Sequence, residues 1–277
     1  MPIDFTHLYA AFADEMLATE SRKSLLTNQD FSWDGTCTVK VYTFTTGIMN
    51  DYGRSKTEGN WSRYGEVLGL DASTETLTLS RDRSFTFAID KLDEDETKRQ
   101  MQAASALARQ LREVVMPEVD AWVYAQMCAC AGNKPAAKAI TAGNIYGELI
   151  KGSNALDNAE APDAGRVLLI TPDTYLLMKQ AKDIVMETDV GADMRLRGVI
   201  SNLDGMTVIR VPASRVPEDF GFLIAHPVAT VAPTKLADYK IHQDPPGISG
   251  SLVEGRVNYD AFVLGNKSGA LYYQEVQ

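Results

Sequence analysis

The chain has 277 residues, which at about 150 residues per domain makes one large domain or two modest ones. Apolar residues make up 45% and charged residues 23%, ordinary globular usage that excludes wholesale disorder, collagen and low-complexity scaffolds. Acidic residues number 37 against 27 basic, a formal net charge of −10, which argues against direct reading of nucleic-acid sequence because phosphate contacts need a basic surface.

Three cysteines do not make a disulfide framework and point to a reducing compartment. Met1-Pro2-Ile3-Asp4-Phe5 has no basic flank and no long apolar run of the kind a secretory signal carries. The densest short apolar run, Val167 to Ile170, falls far below the ~18 residues that a membrane span needs. The expectation is a soluble protein of a cytoplasm, with no membrane contact.

In residues 1–30, Phe5, Leu8, Tyr9, Phe12, Met16 and Leu17 recur at helical spacing and predict a short amphipathic arm. Residues 36–45 are β-branched and aromatic and predict a strand. Residues 75–90 alternate: Leu77, Leu79, Phe85, Phe87 and Ile89 take one face, interrupted by Arg81 and Arg83. Taken as one strand, this stretch would reach ~50 Å. About thirty residues rich in Gly, Asn, Ser and charge lie between the two predicted strands, and a connection that long is usually functional. A two-stranded ribbon is marginal alone. The arm is therefore expected to lie on something else, such as a neighbouring chain.

Residues 93–131 read as one helix. Asp93 with Glu96 resembles a capping box, Gly132 is a natural stop, and Pro117 should kink the helix near Glu113. At 1.5 Å per residue that helix would be ~58 Å long. Residues 132–165 read as loop. The pattern then turns α/β. Arg166–Ile170 is a buried strand, and Thr171-Pro172-Asp173 caps a helix to about residue 187. Strands follow at 206–211, 257–264 and 270–273, with short apolar segments at 222–225 and 228–231 and a strong turn at Asp244-Pro245-Pro246-Gly247.

Catalytic motifs are not found: no phosphate-binding loop, dinucleotide fingerprint, zinc-protease motif or nucleophile elbow is present. Cys128 and Cys130 lie ~200° apart on a helix and cannot clamp one zinc without unwinding it. His7, His226 and His242 fall on an arm, a strand edge and a turn, and read as ordinary hydrogen-bonded histidines. The acidic run 93–96 reads as a solvated helix start rather than a metal site. No catalytic residue, metal site or cofactor is expected.

Four stretches together carry a resemblance. They are Thr38–Tyr42 with Met49-Asn50-Asp51-Tyr52; Leu79–Asp90; Gly205–Pro212; and Asp244–Gly247 continuing through Gly255–Leu264. In this order the chain resembles the major capsid protein of tailed bacteriophages, with the Hong Kong 97-type fold. The resemblance implies an α+β fold with an N-arm (1–32) and an extended β-hairpin E-loop (33–90). It further implies a P-domain with a long spine helix (91–154), an α/β A-domain (155–230) and P-domain return strands (231–277). The implied function is a shell of hexamers and pentamers enclosing double-stranded DNA, assembled in the host cytoplasm. Implied partners are further copies of the chain, a portal, a decoration protein and a scaffolding protein. The short N-arm, with no fused assembly domain ahead of it, implies a separate scaffold or none.

Expected interface residues are Arg54, Lys56, Trp61, Arg63 and Tyr64 at the arm tip and Asp193, Arg195 and Arg197 in the axial loop. Some shell proteins join a Lys and an Asn between subunits. Lys56 and Asn266 invite that comparison, against the plainer reading of two solvated side chains. Two alternatives stay open: an encapsulin-like nanocompartment shell of the same fold, and a small soluble α/β enzyme with its pocket in residues 155–231.

Overall fold

β-branched and aromatic side chains crowd Thr38–Phe44, and threonines alternate through Ala72–Thr78. Such residues fit a pleated surface. In the computed structural model they form an antiparallel ribbon of β1 (Thr38–Phe44) and β2 (Ala72–Thr78). Its register sets Val41 opposite Glu75, and the Thr38 and Thr78 hydroxyls meet at 3.3 Å. The structure describes residues 21–28, 38–44, 49–52, 63–64, 69, 71–96, 102–182, 184 and 202–277. The chain divides into two units: 33–79, which holds the ribbon, and 1–32 with 80–277.

β3 (Arg81–Asp90) belongs to the larger unit, so the alternating run 75–90 is two strands and not one. β2 pairs with β1, whereas β3 pairs with β10. Between them the Ser80 amide and hydroxyl both donate to Asp260 Oδ2 at 2.8 Å, which takes that amide out of any ladder.

The predicted helix 93–131 is also divided. α1 (Lys91–Glu96) starts two residues earlier than the capping-box reading placed it. Its cap is Asp90, whose Oδ1 accepts from the Leu92 amide at 2.8 Å. Gln102 is extended (φ −65°, ψ 139°), so α2 (Ala103–Gln110) is a fresh start. From there the helix continues through a π turn, Leu111–Val115, into α3 (Met116–Ala129). The span from Ala103 to Ala129 is about 40 Å at 1.5 Å per residue. The π turn falls where Pro117 was expected to disturb the helix. Proline cannot donate, and its ring crowds the carbonyl four residues back. The widened turn accommodates this, with the Met116 amide reaching Leu111 O, five residues away.

α4 (Ile145–Asn158) occupies a region read as loop. Then come β4 (Val167–Ile170) and α5 (Pro172–Gln180). Thr171 caps α5 as expected, accepting from the Thr174 amide at 3.3 Å. α5 breaks at Ala181, which is extended (ψ 119°); Lys182 and Ile184 are helical again, and the expected end near 187 lies outside the described residues. The remaining strands are β5 (Asn202–Leu203), β6 (Met206–Arg210), β7 (Phe220–Ala225), β8 (Thr230–Val231), β9 (Thr234–Gln243), β10 (Gly250–Tyr259), β11 (Phe262–Val263) and β12 (Leu271–Glu275).

The core is built on a five-stranded sheet of order β12-β7-β4-β6-β5, with β4 and β6 parallel. Successive strand residues point to opposite faces. Val167 and Leu169 join Val123, Tyr124 and Met127 of α3. Leu168 and Ile170 join Leu149 and Leu156 of α4 and Met178 of α5. Both faces are therefore covered, which explains the unbroken apolar runs of β4 and β7. The second sheet, β3-β10-β9, is antiparallel, with β9 and β10 joined by the predicted Asp244–Gly247 turn. Asp244 (φ 44°) and Gly247 (φ 88°) take the left-handed conformations that close it. The fold is α+β, as expected.

Candidate functional site

Of the expected interface residues, Arg63 and Tyr64 fall among the described ones. Arg54, Lys56, Trp61, Asp193, Arg195 and Arg197 lie outside the described residues, as does the Lys56 end of the Lys56–Asn266 pair. Tyr64 is 78% exposed, and its ring meets Tyr52 edge-on at 5.1 Å. The Asn50 side-chain amide donates to the Tyr64 carbonyl at 3.4 Å, and Met49 beside it is 95% exposed. The structure thus joins Asn50 and Tyr52 to Tyr64 as one small cluster with exposed apolar surface.

Within the larger unit, two polar centres hold distant segments in place. The first is Asp260, 4% exposed. Besides the two bonds from Ser80, its Oδ1 accepts from Trp122 Nε1 at 2.9 Å and from the Ala261 amide at 2.8 Å. The Arg81 guanidinium lies 3.7 Å from the centre of the Trp122 ring. One carboxylate therefore fixes the start of β3 to α3 and to the strand β10. The second is Asp120 of α3. It accepts from Ser21 Oγ at 2.6 Å and from Arg215 at 3.0 Å. Burial pushes its carboxyl above the usual range, against the opposing pull of Ser21, Arg215 and Lys23. This centre fastens the segment around Ser21 to α3. The Asn28 amide, bonded to the Thr230 carbonyl at 2.7 Å, fastens it a second time.

Sequence reasoning did not single out either centre. Asp260 sits 180 residues from Ser80 and Asp120 sits 99 from Ser21, so no local spacing marks them. The available signal was an acid within an apolar run: Asp260 between Tyr259 and Ala261, and Asp120 between Val119 and Ala121.

The groups weighed for catalysis are dispersed. Cys128 is buried and its thiol is pushed up to about 12 by that burial. Cys130 is exposed, as the ~200° spacing requires. His226 accepts from the Val228 amide through Nδ1 and donates from Nε2 to the Ala164 carbonyl. His242 lies 3.3 Å from Glu254 on the β9–β10 pair. Among the described residues no group of three or more His, Cys, Asp or Glu is arranged to hold a metal. No helix among them is long and apolar enough to cross a membrane.

The architecture defines a class by its fold: an α+β fold shared with phage capsid structures. A structure from Mycobacterium phage Che8 is similar at TM-score 0.76 and 15% identity, covering 97% of this chain and 96% of that one. The capsid structure of cyanophage P-SCSP1u is similar at TM-score 0.76 and 12% identity, covering 99% of this chain and 93% of that one. A virus-like particle from Pyrococcus furiosus is similar at TM-score 0.58 and 14% identity, covering 92% of each chain. No protein-family model and no curated protein sequence matches the chain.

Proposed function

We propose that this chain is the major capsid protein of a tailed bacteriophage, a structural and non-enzymatic subunit. It self-assembles as hexamers and pentamers into an icosahedral shell around double-stranded DNA. The observation that carries this reading is the likeness to a phage capsid over 99% of the chain. Such breadth leaves almost no part of the chain outside the shared fold. The exposed Met49–Tyr52 and Tyr64 cluster supports it, because head-to-tail contacts between copies close into rings and rings tile a shell. Each contact can be modest when many act together.

In this reading residues 1–32 are the N-arm, 33–90 the E-loop, 91–154 and 231–277 the P-domain, and 155–230 the A-domain. Arg54, Lys56, Trp61, Arg63, Tyr64, Asp193, Arg195 and Arg197 are interface residues. A separate scaffolding protein, a portal and a decoration protein are its partners, and assembly takes place in the host bacterial cytoplasm. A second reading, an encapsulin-like nanocompartment, is favoured by the Pyrococcus furiosus particle. Its lower TM-score, 0.58 against 0.76, ranks it second.

The test is the mass of the purified chain by light scattering, followed by negative-stain microscopy, with and without co-expressed scaffold. Closed particles of hundreds of Å are expected, with DNA rather than a cargo enzyme inside those from infected cells. A chain that stays small under every condition refutes the shell reading. R54E/R63E is expected to impair assembly and leave the monomer folded. Normal particles from that variant refute the arm-tip assignment.

A further inference from the structure

A groove of about 530 Å³ opens in the larger unit, between the segment around Arg22 and Leu25, the start of α5, and β6 with Pro212. Its wall is part apolar: Leu25 is 48% exposed there, beside Pro172 and Pro212. Its described lining is cationic. Arg22 and Arg210 both line it and both are exposed. The Arg210 guanidinium lies 4.7 Å from the centre of the Tyr175 ring. Neither arginine forms an ion pair with a carboxylate among the described residues. A guanidinium presents a rigid fork of donors that matches a carboxylate.

A complementary feature lies in the same unit. Pro217-Glu218-Asp219 is a tight turn, closed by the Phe220 amide donating to the Pro217 carbonyl at 3.2 Å. Glu218 and Asp219 are exposed side by side on it, and neither carboxylate forms an ion pair among the described residues. The turn is held from within. The Val276 amide donates to the Asp219 carbonyl at 2.9 Å, and the Tyr273 hydroxyl donates to it at 3.3 Å. It therefore projects its two acids in a fixed geometry and loses little freedom on binding.

The sheet relates the two features. β6 ends at Arg210, beside Ile170 of β4, and Ile170 stands beside Phe222 near the start of β7. Groove and turn are thus at the same end of the five-stranded sheet. The groove is on the β6 side, while the turn feeds β7 and is tied to β12, the opposite edge. Within one copy Arg22 and Arg210 form no ion pair with Glu218 or Asp219 among the described residues. They can meet between copies related by rotation, which is a head-to-tail contact that closes a ring.

We propose that the Arg22–Arg210 groove of one copy receives the Glu218–Asp219 turn of the next. This rests on the shell reading above and assigns one of its contacts. Charge decides the occupant. With a net charge of −10, average surfaces of two copies repel, so close approach favours a site where cations and acids that form no ion pair among the described residues meet. The apolar wall of Leu25, Pro172 and Pro212 then receives Pro217.

The test is charge reversal in the full chain, read by sedimentation and light scattering under the conditions in which wild type assembles. R22E/R210E and E218K/D219K are each expected to weaken self-association by about tenfold or more. All four positions are exposed, so circular dichroism and the thermal midpoint should stay near wild type. The quadruple variant restores opposite charge at every contact and is expected to regain most of the assembly. One-sided variants that assemble like wild type overturn this contact and leave the shell reading standing. A quadruple variant no better than the one-sided ones also overturns it. A wild-type chain that stays monomeric throughout, scaffold co-expression included, overturns the shell reading and this contact together.

Discussion

Asp120 and Arg215 are 1% and 6% exposed in their side chains and 3.0 Å apart. Two charges this deep gain from each other but forfeit most of their hydration. Arg215→Met should therefore cost about 3–5 kcal/mol, because Asp120 is left buried with Ser21 as its remaining hydrogen-bond donor among the described residues. The double variant D120L/R215M should recover much of that loss. Urea midpoints of the two variants check this; equal loss in both would show that the pair contributes net stability beyond packing. The acid was visible in the sequence between Val119 and Ala121, but its partners were not. Ser21 and Arg215 come from opposite ends of the chain, and only folding brings them to one helix. Asp260 teaches the same lesson: its neighbours Tyr259 and Ala261 mark it as buried, and nothing nearby names Ser80 or Trp122.

At the scale of elements, β10 shows how a sheet uses a missing side chain. Gly255 stands between Phe85 on β3 and Tyr239 on β9. The two rings stack at 6.2 Å over the glycine, and a Cβ there would enter the Phe85 ring. Gly255→Val should cost about 1–3 kcal/mol through overpacking. Gly147→Ala in α4, with open space around it, should instead stabilise by about 0.5–1 kcal/mol. Thermal or urea unfolding of both variants tests the contrast. Periodicity failed at α4 for a related reason. Ile145, Leu149 and Leu156 carry a helical stripe, but Gly147 and Gly152 made the stretch read as loop. Gly152 is there because Ile224 and Tyr272 approach its backbone closely. The alternation across 75–90 misled in the other direction, since period 2 is the same whichever sheet a strand joins.

For the whole molecule, the two units differ in how they are held. The larger has a sheet covered on both faces. The described part of the smaller is a two-stranded ribbon, which is marginal alone. In the unassembled chain, amides of β1 and β2 should exchange with solvent far faster than those of β4 and β7. On assembly, ribbon amides should slow by at least about tenfold if a neighbouring copy supports them. Hydrogen exchange on monomer and particle measures both. Ribbon protection that is already core-like in the monomer would remove the need for a neighbour.

The sequence by itself determined the α+β class, the first ribbon strand, the buried strand at Val167–Ile170 with its Thr171 cap, and the disturbance ahead of Pro117. Each depends on local physics: alternation, capping and a missing donor act over a few residues. The order of parts also carried the resemblance to phage capsid proteins. Tertiary structure alone decided where the 75–90 alternation breaks, why Gln102 starts a new helix, and which acids become buried centres. It also decided that the cationic groove and the acidic turn share one end of one sheet. Those features depend on partners far away in sequence, and no local pattern encodes a pairing whose members meet only after the chain has folded.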